Sequence, residues 1–140
     1  MTLDRFTIKA QEAIQAGINK AQSLDQQTIE PIHLLSGIME KGRDITGYLF
    51  QKIGINQELV VSATDRQLQH LPRVSGGQPY LSNDSNAVIQ KAISYSQEMG
   101  DEFVSIEPLL LALLCVNSTA SRILKDAGCT EKELRKAIKA

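Results

Sequence analysis

The chain has no tryptophan, only two cysteines and four prolines, and a formal net charge of −1 over 140 residues. Cys115 and Cys129 are too few for a disulfide scaffold and stand in no CxxC or Cys/His ligand spacing, so two reduced thiols are expected. Basic and acidic side chains nearly balance in each half, whereas a nucleic-acid interface would show a basic surplus. The longest apolar run, Leu109 to Val116, is far short of the roughly 20 residues of a membrane span. The opening MTLDRFTIK carries Asp4 and lacks an apolar signal core. A soluble cytoplasmic protein is the expectation, with neither nucleic acid nor membrane as partner. Sustained alternation of apolar and polar residues is also missing, so no strands are expected.

Signatures of catalysis are scarce as well. His33 and His70 belong to no metal-ligand spacing such as HExxH, and His33, near the start of an apolar helix, reads as structural or partly exposed. Neither cysteine has a candidate base near it in sequence. Gly76-Gly77 is followed by no lysine and forms no phosphate-binding loop. No catalytic residue, metal or cofactor is expected in this chain.

What the chain does have is an internal repeat. A shift of 75 residues lays Ile14, Gln15, Ile18, Gln22, Leu34 and Leu35 on Ile89, Gln90, Ile93, Gln97, Leu109 and Leu110. The same shift sets Phe6 on Leu81, Thr7 on Ser82, Ile29 on Val104 and Gly37 on Ala112. Repetition at a fixed period means one structural unit used twice.

Each unit reads as four helices. Thr7 can cap a first helix whose apolar stripe runs from Ala10 to Leu24, and Glu30-Pro31 starts a second that reaches about Met39. Lys41 to Asp44 should break it before a third segment, Ile45 to Ile53, that stops at Gly54. Asn56 caps a fourth that Pro72 ends. After the connector RVSGGQP, Ser82 caps a fifth helix that ends at Gly100-Asp101-Glu102. Leu109 to Val116 carries no polar residue and belongs at the centre. Ser118 or Thr119 starts a seventh helix, and Thr130 with Glu133 forms a capping box for the eighth, with Leu134 and Ile138 inward. The expectation is an all-α fold in a single domain, 1–140: repeat one about 1–72, linker 73–79, repeat two about 80–140. Two charge clusters stand out: Glu98, Asp101, Glu102 and Glu107 without a basic neighbour, and Lys125, Lys132, Arg135, Lys136 and Lys139 near the end, where a last helix favours cations.

The segments LDRFTIKAQEAI, IEPIHLL, LPRVSGG and GDEFVSIEPLLLALL, in that order, resemble the N-terminal domain of the Clp ATPases, most closely the ClpB disaggregase branch, over essentially the whole chain. The resemblance implies an eight-helix pseudo-twofold domain at the entrance of a homohexameric AAA+ ring, itself a monomer in isolation, that engages apolar segments of unfolded or aggregated proteins. It implies that ATP and magnesium are used by ATPase modules absent from this chain. It also implies a substrate groove holding Thr7, Asp101 and Glu107, with Tyr95 and Pro108 at two apolar positions that are often leucine. The alternative is the N-domain of a protease unfoldase of ClpC or ClpA type. Where the ClpC pattern pairs glutamates to read phosphoarginine, Ile32 and Pro108 break that pattern here.

Overall fold

Residues 3–74 and 76–139 are described by the computed structural model, which leaves Ser75 of the expected linker outside the described residues. In chain order the elements are α1 (Ile8–Ser23), β1 (Thr28–Ile29), α2 (Pro31–Lys41), α3 (Arg43–Ile53), α4 (Gln57–His70), β2 (Tyr80–Leu81), α5 (Asn83–Glu98), α6 (Ile106–Cys115), α7 (Thr119–Asp126) and α8 (Glu131–Lys139).

The helix starts follow from side-chain caps. Thr7, Asn56, Ser82 and Ser118 each accept a first-turn backbone N–H, at 3.2, 3.0, 3.0 and 3.3 Å. Thr130 does the same for the N–H of Glu133 at 3.2 Å. Such bonds satisfy donors that a helix leaves orphaned. One boundary differs from expectation. The break after α2 is the single residue Gly42, and α3 begins at Arg43 rather than Ile45. The N–H of Gly42 closes α2 on the Ile38 carbonyl at 2.8 Å, while its own carbonyl accepts from Ile45 and Thr46 and so opens α3.

The centre of the molecule is α2 and α6. Ile32, Leu34, Leu35 and Ile38 on one helix and Leu109 to Leu113 on the other are fully buried. α1 lies on α2 and α5 on α6, while the remaining helices cross over, α3 against α8 and α4 against α7. That exchange locks each repeat to the other through one shared core.

The absence of strands expected from the sequence does not hold. β1 and β2 pair in parallel, Ile29 opposite Leu81, and Phe6 forms an isolated parallel bridge with Val104. Because Phe6 repeats as Leu81 and Ile29 as Val104, the two pairings are images of one another under the internal symmetry. The matching bonds repeat too: the Thr7 N–H donates to the Val104 carbonyl at 2.9 Å, and the Ser82 N–H to that of Ile29 at 3.0 Å. Two residues per strand are too few for alternation to register. These crossed bridges are the direct mark of two pseudo-twofold-related four-helix repeats.

No single helix among the described residues is long and apolar enough to cross a membrane. α6 with α7 would qualify by length and composition, but the pair bends by 96° and nearly all of α6 is buried in the core.

Candidate functional site

The Phe6–Val104 bridge gathers three of the residues singled out from the sequence. Thr7 is tied to Val104 by its backbone, Asp101 stands three residues before Val104, and Glu107 three after. The Thr7 hydroxyl accepts from Ala10 N, and a hydroxyl used in that way still carries a proton to donate. Asp101 is exposed. It follows Gly100, whose φ of 77° lies in the left-handed region that glycine adopts without strain, and its N–H returns to the Ser96 carbonyl at 3.0 Å, closing the end of α5. Glu107 is half-buried in the first turn of α6, where the helix dipole favours a negative charge. Ser105 occupies the N-cap position of α6 without a side-chain cap bond, unlike Thr7 and Ser82.

The other two are placed differently. Pro108 is buried in α6. Tyr95, 7% exposed, lies in the seam between α5 and α8, its ring 5.0 Å from the Arg135 guanidinium and 5.4 Å from Lys91 Nζ. Arg135 is held there by Glu131 at 2.8 Å and Glu98 at 3.6 Å. Burial, then the hydrogen bond with Cys115, pushes the Tyr95 phenol above its usual range.

Two side chains at this edge escaped the sequence reading. Ile8 is 76% exposed and Phe103 47% exposed, one immediately after Thr7 and the other immediately before Val104. Ile8 could have been found: at 100° per residue it falls nearly opposite the stripe of Ala10, Ala13, Ile14 and Gly17, an apolar residue on a polar face. Phe103 could not, because its exposure follows from Val104 facing inward on an extended segment too short to announce itself.

His33 is fully buried, and both ring nitrogens are engaged: Nδ1 accepts from the Glu30 N–H at 2.9 Å and Nε2 meets Gln26 Oε1 at 2.7 Å. Desolvation holds it neutral, its pKa lowered to about 4. In that state Nε2 carries the proton and donates it to Gln26. The Gln26 amide in turn donates to the Leu68 carbonyl at 2.6 Å, so the chain of bonds ties the α1–α2 loop to the end of α4. Burial pushes the Cys129 thiol up to about 12 and raises that of Cys115. Groups held in these states neither donate protons nor attack readily near neutrality. Among the described residues no group of three or more His, Cys, Asp or Glu could hold a metal ion.

A family model described as the Clp repeat (R) N-terminal domain matches residues 5–127. The chain belongs to that family. A Clp N-domain of this sequence is 59% identical over 138 residues to the chaperone protein ClpB of Bacteroides thetaiotaomicron and 44% identical to that of Porphyromonas gingivalis. Each comparison covers 99% of this chain and 16% of the relative. The Clp N-domain thus spans about one sixth of the length of those relatives. The crystal structure of the Hsp104 N-terminal domain from Candida albicans shares the fold, with a TM-score of 0.80 at 22% identity, covering 96% of this chain and 89% of that one.

Proposed function

We propose that this Clp N-domain is the client-binding module of a ClpB-type disaggregase, one domain of two repeats, and that it engages exposed apolar segments of unfolded or aggregated polypeptides at the Phe6–Val104 edge. The observation that carries the reading is the meeting of exposed Ile8 and Phe103 with Thr7, Asp101 and Glu107 around one backbone bridge. Apolar area removed from water contributes about 25 cal/mol per Å² and discriminates little between sequences. The rim carboxylates accept hydrogen bonds from client amides or basic side chains, and the Thr7 hydroxyl donates to a client carbonyl. Ordering a disordered client offsets much of this gain, so binding is weak and release is easy. The domain itself works without catalysis and in the cytoplasm. ATP and magnesium act in the remainder of a longer, hexameric protein.

The protease-unfoldase reading, with clients marked by phosphoarginine, is disfavoured by the repeat itself. The position matching Glu107 is Ile32, fully buried in the core, so a paired acidic reader has only one member.

Titration of an unfolded model client, followed by backbone chemical shifts, tests the proposal. Asp101→Ala and Glu107→Ala should each weaken binding severalfold, with helix content and melting unchanged. Equal client affinity in both variants would remove these residues from the site.

A further inference from the structure

The β1–β2 pairing repeats the backbone plan of the Phe6–Val104 bridge, so the molecule presents a second edge of the same design with different side chains. Where the first edge has Asp101, Phe103 and Glu107, the second has Gln26, Thr28 and Ile32, and both Gln26 and Ile32 are buried. A cleft nonetheless opens here, bounded by Leu71, Pro72 and Val74 as the chain leaves α4 and by Tyr80 at the start of β2. Val74 and Tyr80 are 52% and 54% exposed. Both are held in place. The Val74 N–H donates to the Asp25 carbonyl at 2.7 Å, the Tyr80 N–H to that of Gln27 at 3.1 Å, and the Thr28 hydroxyl to the Tyr80 oxygen at 2.8 Å. The one carboxylate in the lining is that of Glu30, at the N-cap of α2, where the helix dipole offsets its charge.

From this geometry we infer that the cleft is a second docking place for unfolded polypeptide, and that it takes uncharged apolar segments. The inference rests on the client-binding reading and divides the work between the two edges. Leu71, Pro72, Val74 and Tyr80, beside the uncharged side chains of Gln26, Gln27 and Thr28 and the single carboxylate of Glu30, match a segment without charge, whereas the carboxylates around Val104 match a segment with basic side chains. Apolar burial is also insensitive to ionic strength, while exposed charge pairs are screened by salt.

Two end-capped synthetic peptides separate the edges: one of leucine and serine without charge, the other with lysine at every serine position. Backbone chemical-shift titration of the chain should show the uncharged peptide moving signals of residues 27–30, 71–74 and 80, and the lysine peptide those of 7–8 and 101–107. Val74→Ser combined with Tyr80→Ser should weaken the uncharged peptide about tenfold and leave the lysine peptide unchanged. Added salt should weaken only the lysine peptide. Both substitutions are at exposed positions, and an unchanged far-UV spectrum verifies the fold. The second docking place is overturned if the uncharged peptide moves only the 101–107 region, or if the double variant binds it equally well. Binding of the lysine peptide alone would refute this cleft and leave the client-binding reading standing. Binding of neither would refute both.

Discussion

The two repeats share a backbone plan and use it for different ends. In the first, Gly17 and Gly37 let α1 and α2 approach closely: a Cβ on Gly37 would overlap the Ala13 carbonyl oxygen, and one on Gly17 would lie 2.5 Å from that of His33. The matching residues of the second repeat are Ala92 and Ala112, both fully buried. Beside the glycine contact, the first repeat buries the Gln26–His33 pair, where the second has exposed Asp101 and buried Pro108. The later helices diverge as well, 11 and 14 residues in α3 and α4 against 8 and 9 in α7 and α8. The lesson is that a duplicated unit can keep its symmetry in the backbone while one copy gives its polar positions to internal bonding and the other leaves them to solvent.

The sharpest test of that contrast is pH. Burial lowers the His33 pKa in the folded state to about 4, below the ordinary 6.5 of a solvated imidazole. The unfolded chain therefore takes up this proton first as pH falls. The stability His33 confers is complete above pH 6.5, is lost as pH drops from 6.5 towards 4, and changes no further below that. The loss comes to about 3 kcal/mol at 1.36 kcal/mol per pKa unit. His33→Asn removes the titration, so the urea midpoint of the variant should vary less with pH across that window than that of the unsubstituted chain. An equal slope in both would mean that the buried imidazole is not the titrating group. The second repeat, with Pro108 at this place, contributes no counterpart.

Glycine packing gives the next effect. Gly37→Ala forces α1 and α2 apart and should cost about 2–3 kcal/mol in chemical denaturation, within the usual range for overpacking. The mirror exchange, Ala112→Gly, meets no overlap and should cost about 1 kcal/mol from helix propensity. Equal costs would show that the two helix pairs pack alike. The smallest expected difference concerns one repeat position twice. Gln26→Ala leaves the His33 N–H and the Leu68 carbonyl without partners and should cost about 2 kcal/mol. Asp101→Ala, at the exposed counterpart, should stay within about 0.5 kcal/mol.

The legible part of the fold was the part encoded locally. Thr7, Asn56 and Ser82 announce their helices because a cap depends on neighbours two or three residues away. The apolar run of α6 announces its own burial. The Gly42 joint was read too broadly, since Arg43 and Asp44 look like a loop until the Gly42 carbonyl takes up the amides of Ile45 and Thr46. At the candidate site, Asp101 and Glu107 stood out as unpaired acids and took their expected role, with Thr7, from the family resemblance. The exposure of Phe103, and the burial of Tyr95 beneath Arg135, depend on α8 and on the crossed bridge, which lie far along the chain.

Sequence alone determined that one four-helix unit occurs twice, because an amphipathic stripe and its caps are written within a few turns of chain. Only the tertiary structure decided that the units interlock through parallel bridges, that Gln26 closes inward on His33 while its counterpart Asp101 faces water, and that Ile8 and Phe103 stand exposed at the same bridge. Those outcomes depend on which distant segment reaches each backbone edge first, and a residue's local neighbours hold no record of that.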